Sequence, residues 1–309
     1  MRIMWLLYAF SGPVMWAVST HIDKFLVDKY FRDSDTAVLM VFTALLGIIA
    51  LPAIWLFEPK VLALPWLATG VMTLSGILYM GAMLFYLRAI QTEEASVVAP
   101  LFQASTLFTF ALGAIILHEM PRWPQLLGAG LVILGALGLS LDKNLHLGTF
   151  KPRLVLLMLA ATFVVALSSV VFKFFAVQDE FWSTTFWTFV GEGLFGAAIL
   201  ARPKYRQQFL TLFRRNPGAV IGVNAANELI NLGGGLGVRY ASLLAPVALV
   251  SAVSATTTFF VFLFSILLTL FFPRLGREDL SARNVVQKAI GGVLIMAGVA
   301  LIQSLGTGP

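Results

Sequence analysis

The sequence contains no cysteine and few charged residues, and both shortages restrict what the protein can do. Without cysteine the chain has no disulfide, no thiol nucleophile and no thiolate ligand for an iron–sulfur cluster. The three histidines, His21, His118 and His146, lie far apart, so we expect no metal site and no bound cofactor. Only 12% of the residues are charged. A metalloenzyme or thiol enzyme is therefore disfavoured, and so is an ordinary soluble domain.

Hydrophobic residues are abundant. They make up 59% of the 309 residues, and the mean hydropathy is +0.89. A soluble domain has no need to bury so much apolar surface, so the composition predicts a helical membrane protein. The net charge of +6 is explained by basic residues at the ends of apolar runs, and we expect no nucleic-acid partner.

The chain divides into ten apolar runs, each long enough for a transmembrane helix. The runs span residues 3–23, 36–57, 65–90, 95–117, 123–141, 153–177, 181–201, 217–240, 243–272 and 284–305. The first run has no small-residue cleavage site and is interpreted as a retained span. The basic stretches 202–215 and 273–288 are interpreted as loops.

Three short patterns occur twice in the same order, which indicates an internal repeat. Ala95–Pro100 matches Ala241–Pro246, and the segment ending at Lys24 matches the segment ending at Lys173. The third pair is Gly128–Gly135 with Gly291–Gly298. Since five helices are an odd number, the second copy must enter the membrane upside down. We predict an all-α membrane protein with ten transmembrane helices, arranged as two inverted five-helix repeats, 1–146 and 147–309.

These patterns resemble the drug/metabolite transporter superfamily, EamA type. The shared features are A-S-x-x-A-P opening the fourth helix of each half, Glu119 at the end of the first of these helices, and a glycine-rich final helix. The resemblance covers essentially the whole chain. It implies ten helices, secondary transport of a small metabolite, and a central cavity lined mainly by the first, third and fourth helices of each half. The second half departs from the pattern, because Glu278 and Asp279 lie in an enlarged loop and no glutamate matches Glu119.

One polar stretch, Asn224–Gly237, interrupts the apolar eighth run. Asn224, Asn227, Glu228 and Asn231 recur at the spacing of one helix face, which places Glu228 near the middle of the bilayer. An ionisable residue at that depth marks a functional site by default, although a polar seam between helices is the alternative. The matching segment of the first half lacks these residues, which favours function. The glycines that follow permit either a close crossing or a helix break.

Further candidates come from other helices. Glu192 lies mid-helix beside Trp187, and either carries a proton or forms an ion pair with Lys24 or Lys173. Both lysines either reach the headgroups, which we favour, or point inward to an anion. The predicted substrate-binding residues are Asn224, Asn227, Glu228, Asn231, Glu192, Trp187, Tyr79, Gln103 and Lys24. The predicted proton-coupling residues are Glu228, Glu192 and His21.

Orientation follows from the basic residues. Most of the 21 lysines and arginines lie after odd-numbered runs, which favours placing those loops in the cytoplasm and both termini outside. The resemblance implies termini inside, and we follow the charge distribution. The leading prediction is a secondary transporter of a small polar metabolite, such as an amino acid or amine, in a bacterial or archaeal inner membrane. It would act as a monomer or homodimer within the bilayer. Alternatives are a flippase for a lipid-linked sugar or lipid headgroup, and a membrane-embedded enzyme or sensor.

Overall fold

The computed structural model describes residues 4–29, 35–92, 101–140, 152–178, 180–215, 217–271 and 282–304. These residues form α-helices, one short 3₁₀ helix and their connections. The helices are α1 Met4–Lys29, α2 Thr36–Phe57, α3 Trp66–Thr92, α4 Ala104–Ile116, α5 Trp123–Ser140, α6 Pro152–Gln178, α7 Phe181–Ala201, α8 Pro203–Arg215, α9 Pro217–Leu244, α10 Val247–Ser254, α11 Thr257–Phe271 and α12 Ala282–Ser304; the 3₁₀ helix is Pro59–Leu62. The prediction of an all-α protein is confirmed for the described residues.

Among the described residues, five segments are long and apolar enough to cross a membrane. They are Thr36–Phe57, Trp66–Ala89, Pro152–Gln178, Phe181–Ala201 and Val247–Phe271, the last of which joins α10 and α11. The helices α1 and α9 are also long, but they contain the charged and amide residues of the candidate site. Large apolar side chains remain exposed on the outside of the bundle, among them Phe57, Trp66 and Val293. Such a surface suits contact with lipid.

Two segments differ from the sequence prediction in the helices that they form. The basic stretch 202–215, predicted as a loop, contains the helix α8. In this helix Tyr205 and Leu212 are buried and Phe209 packs beside them, so the apolar positions follow helical spacing. The run 243–272, predicted as one helix, is interrupted at Ala255 and Thr256 between α10 and α11.

Helices from the two halves of the chain contact each other closely. The helix α1 lies along α9, α5 lies along α12, α3 contacts α6 and α7, and α2 contacts α7. Small residues make two of these contacts possible. A Cβ atom on Gly135 would stand 2.6 Å from the carbonyl oxygen of Gly291, so the α5 and α12 backbones touch there.

The glycines that follow the polar face of α9 serve the same purpose. A Cβ on Gly234 would stand 3.2 Å from the Cα of Gly12 on α1. The helix α9 continues unbroken to Leu244, so this glycine run forms a close crossing and not a break. The crossing holds the polar face of α9 against α1, where the candidate site lies.

Candidate substrate-binding site

The polar face of α9 points into the protein. Asn224, Asn227 and Glu228 are only 1%, 0% and 7% exposed, and Asn231 is half-buried. The placement agrees with the spacing argument, since residues at i, i+3 and i+4 share one face of a helix. The other side of α9 carries exposed apolar residues such as Leu229. The amides and the carboxylate are therefore withdrawn from lipid.

A second carboxylate meets this face from α1. The Asn227 amide nitrogen donates a hydrogen bond of 2.6 Å to Oδ1 of Asp23, and the Ser19 hydroxyl lies 3.5 Å from Oδ2. Asp23 is not among the residues predicted from the sequence. A signal was present, because the position of Asp23 in the first copy is occupied by Phe172 in the second copy. Like the α9 face, this acid belongs to one copy alone.

Glu228 is held by neutral hydrogen-bond donors. The Thr43 hydroxyl of α2 donates to its Oε1 at 3.0 Å, and the Asn231 side chain also bonds to it. The carboxylate of Asp23 is near enough to interact with it electrostatically. Since like charges disfavour each other in a low-dielectric interior, two ionised carboxylates here would be costly.

Glu192 of α7 forms an ion pair, but not with the lysines considered in the sequence analysis. Its Oε1 accepts a hydrogen bond of 3.0 Å from Nη2 of Arg239 on α9. The Arg239 guanidinium also lies over the rings of Phe172 and Phe189, at 5.1 and 5.4 Å from their centroids. The ring faces and the carboxylate together hold the cation in place. Arg239 lies within α9 and was not among the partners predicted for Glu192.

Tyr79 and Trp187, the two predicted aromatic boundaries, occupy different surroundings. Tyr79 is close enough to Glu192, Arg239 and Glu228 to interact electrostatically with all three. Trp187 donates its indole N–H to the carbonyl of Val61 at 2.7 Å and packs in an apolar cluster. Tyr79 therefore lies with the acids and the arginine of the candidate site. The indole N–H of Trp187 is instead bonded to the 3₁₀ helix.

The remaining predicted residues lie at other contacts. Nε2 of His21 is 3.2 Å from the carbonyl oxygen of Val261, which links α1 to α11 and requires the proton on Nε2. Lys24 is exposed, as expected of a lysine that reaches the headgroups. Gln103 is half-buried at the start of α4, where its carbonyl accepts a hydrogen bond from the Thr106 amide. The first A-S-x-x-A-P motif, at 95–100, and the acidic pair at 278–279 lie outside the described residues.

The described cluster therefore consists of Asp23, Thr43, Tyr79, Glu192, Asn224, Asn227, Glu228, Asn231 and Arg239, which we call the polar cluster. It brings α1, α2, α3, α7 and α9 to one place inside the bundle. Three of its members are carboxylic acids and one is a base.

Comparison with known proteins bears on the family and the fold of the chain. Residues 3–141 match the model of the EamA-like transporter family. The resemblance to EamA-type transporters is confirmed over these residues, which lie in the first half of the chain. A solved structure described as "Crystal structure of protein" superposes with a TM-score of 0.66 at 17% identity, covering 99% of this chain and 98% of that chain. A search of curated proteins finds no significant match.

The match over residues 3–141 suggests a membrane transporter of small molecules in general, and the apolar helices support a multi-pass integral membrane protein. Members of this family are transporters rather than enzymes. The structural match at 17% identity establishes the fold alone. The chemistry of the substrate must therefore be inferred from the polar cluster.

The motif residues that suggested the EamA resemblance contact each other at one end of the bundle. Lys173 of α6 forms an ion pair with Glu119, which follows α4, and its Nζ donates to the carbonyl of Ala245 at 2.7 Å. Glu119 also accepts a hydrogen bond of 2.8 Å from the amide of Val247. Pro246 lies between Ala245 and Val247 in the chain. The Ala245 carbonyl and the Val247 amide on either side of this proline therefore both bond to the Glu119–Lys173 pair. The expectation that Lys173 reaches the headgroups is wrong, because a partly buried carboxylate lies within its reach.

A second charged contact attaches α8 to the opposite end. Arg88 and Lys204 lie 3.6 and 3.5 Å from the carboxylate of Asp35, and Arg88 donates to the Tyr205 hydroxyl at 3.3 Å. Partial burial raises the pKa of Asp35, but the hydrogen bond from the Ala37 amide and the two cations outweigh it. They hold that pKa below its usual value of 3.8. Asp35 therefore stays ionised at neutral pH and caps the start of α2.

Proposed function

We propose that the protein is a secondary transporter that works by alternating access. Its substrate would be a small metabolite that carries an ammonium group and binds at the polar cluster. The observation that carries this proposal is the excess of acids over bases in the polar cluster. Glu192 is paired with Arg239, whereas Asp23 and Glu228 accept hydrogen bonds from neutral groups among the described residues. Two further carboxylates are thus left without a described cation.

Buried carboxylates need either a proton or a cation. An ionised carboxylate at membrane depth that has no positive partner is costly by several kcal/mol. A proton on Glu228 removes that cost when the site is empty, and an ammonium group removes it when substrate is bound. Competition between the two couples substrate movement to proton movement, as the sequence analysis proposed for Glu228.

Two unpartnered amide atoms support a ligand with both a donor and an acceptor. Nδ2 of Asn224 and Oδ1 of Asn227 are buried and make no hydrogen bond with the described residues. The Asn227 amide is oriented by Asp23, so its free atom is the acceptor. An unsatisfied polar atom in such a place costs about 1–3 kcal/mol, which a ligand can recover. An amino acid or an amine with a carbonyl or hydroxyl group fits this pair.

Alternating access is supported by the way the halves contact each other. If residues 1–146 and 147–309 are inverted repeats, α1 and α6 are equivalent, and so are α3 and α9. The observed contact of α1 with α9 is then equivalent to the observed contact of α6 with α3. The α5 and α12 helices are equivalent to each other, so their contact is symmetric. The polar cluster lies on the α1–α9 contact, between the two proposed repeats.

The flippase alternative gains no support from the basic residues proposed for it. Arg88 contacts Asp35 and Tyr205 at the end of the bundle, where it attaches α8. Lys24 is exposed on α1, while the buried cluster next to it is acidic. An excess of carboxylates suits an ammonium group and repels a phosphate.

Transport in proteoliposomes tests the proposal. Glu228→Gln keeps the hydrogen bond from Thr43 but removes the charge, so proton-driven uptake of a responsive amine or amino acid should fall at least tenfold. Glu180→Gln is the matched control, because Glu180 is exposed at the start of α7 and should leave transport unchanged. Wild-type rates in Glu228→Gln would remove this residue from the mechanism.

A further inference from the structure

A groove between α11 and α12 lies on the outside of the bundle, apart from the polar cluster. It is a shallow, open groove with a volume of about 470 Å³, lined by Phe259, Phe262, Lys288, Ala289, Gly292, Val293, Met296 and Ala297. The two helices have few contacts with each other, since α12 lies mainly along α5 and α11 lies against α1. The groove is therefore a gap in the surface that faces the bilayer.

The wall from α12 has an ordered arrangement along the helix. Lys288, Gly292 and Met296 are four residues apart and share one face. Gly292 is buried against α11, where a Cβ would stand 3.0 Å from the Phe259 ring, while Val293 and Met296 are 68% and 60% exposed. The resulting channel is apolar over about 12 Å below Lys288, at 1.5 Å per residue.

Among the residues that line the groove, charge is confined to one end. Nζ of Lys288 lies 4.6 Å from the centroid of the Phe262 ring, so its ammonium is held at the groove by the ring face. Lys288 is six residues from the first residue of α12, about 9 Å along the axis. A lysine side chain at that depth is long enough to place its ammonium near the headgroups. A cation above an apolar channel matches the two parts of an anionic phospholipid.

We propose that this groove binds one anionic phospholipid, with an acyl chain along Gly292 and Met296 and the phosphate on Lys288. The lipid fills the gap between α11 and α12 and so stabilises the position of α11. The same helix accepts the hydrogen bond from His21 through Val261. Bound lipid therefore stabilises the contact of α11 with α1, whatever the substrate of the polar cluster is.

The test measures lipid binding to the full chain in detergent, by native mass spectrometry and by thermal unfolding with added phosphatidylglycerol or phosphatidylcholine. The wild type should bind phosphatidylglycerol more tightly, and Lys288→Gln should reduce that preference about fivefold. Gly292→Leu should fill the channel and weaken the binding of both lipids. Glycerol phosphate without acyl chains should give no stabilisation.

Two control variants separate this site from general attraction. Lys60→Gln removes an exposed lysine in the 3₁₀ helix and should leave the preference intact. Gly130→Leu adds the same side chain at a glycine on α5 with open space around it, and should not alter lipid binding. Equal affinity of the wild type for both lipids, or an unchanged preference in Lys288→Gln, would overturn the proposal.

Discussion

Asp23 and Glu228 approach each other from two helices and are each bonded to neutral groups. Asp23 bonds to Asn227 and Ser19, and Glu228 bonds to Thr43 and Asn231. Neither acid has a described cationic partner, although the two interact electrostatically. Glu192, by contrast, already has Arg239 as its partner. Among the predicted proton-coupling residues, Glu228 therefore has the strongest support.

Asp23→Asn tests whether the acid on α1 takes part in binding. The substitution preserves the size of the side chain but removes its charge, and hydrogen bonds to charged groups contribute about 1.5–3 kcal/mol. We expect the apparent KM for a cationic substrate to rise about tenfold in proteoliposome uptake. Ser19→Ala, which removes only the 3.5 Å contact to Asp23, should change it far less. An unchanged KM in Asp23→Asn would exclude direct charge recognition by this residue.

The Glu119–Lys173 pair also allows a prediction at the residue scale. Glu119→Gln leaves the ammonium of Lys173 buried without its carboxylate, and such a loss typically costs about 3–5 kcal/mol. The melting temperature in detergent should fall clearly. The double variant Glu119→Leu with Lys173→Met removes both charges and should recover part of the loss. Full stability in Glu119→Gln would show that the ion pair adds nothing measurable.

At the scale of helices, close backbone contact decides which pairs form. The α5–α12 and α1–α9 crossings depend on glycines that face each other or face small side chains. The α3–α7 contact is similar, since a Cβ on Gly76 or Gly191 would meet the backbone of the other helix. Without water to drive helix association, such contact supplies much of the attraction between helices.

Two glycines of α5 should respond to alanine with opposite sign. Gly135→Ala places a Cβ 2.6 Å from the Gly291 carbonyl oxygen and should destabilise the protein by about 1–3 kcal/mol. Gly130→Ala meets nothing within 4 Å and should gain up to about 1 kcal/mol from better helix propensity. Thermal unfolding of the two variants compares them directly. Equal melting temperatures would show that the α5–α12 crossing tolerates a wider separation.

At the scale of the whole molecule, the distribution of charge sets the orientation. Two cations, Lys173 and Arg239, are held inside the bundle by Glu119 and Glu192 and do not count with the loops. The helix α8 carries Lys204, Arg206 and Arg214 at the end of the bundle where α7 finishes. The basic excess on that side thus remains after the structure is taken into account.

The positive-inside rule then predicts that α8 faces the cytoplasm and that both termini face outward. Reporter fusions check this: a C-terminal phosphatase should be active and a C-terminal fluorescent protein should be dark. A fusion inserted after Arg215 should show the reverse pattern. A fluorescent C-terminal fusion would reverse the proposed orientation and support the arrangement that the resemblance implies.

The sequence by itself determined the class of protein, most helix limits and the buried face of α9. These are local properties, because hydropathy and helical spacing are read from neighbouring residues. Two segments were exceptions: the run 243–272, which is interrupted at Ala255 and Thr256, and the basic stretch in α8. Its charge resembled a loop, while its apolar positions at Tyr205 and Leu212 followed a helix.

Only the tertiary structure decided the partners. Asp23 with Asn227, Glu192 with Arg239, and Lys173 with Glu119 each join residues far apart in sequence. A single sequence does not give the spatial distance between such positions, so each acid had several possible partners. The groove at Lys288 likewise exists because α11 and α12 diverge, which depends on how each packs against other helices. Local pattern determines what each helix can bury, and packing decides which charge it meets.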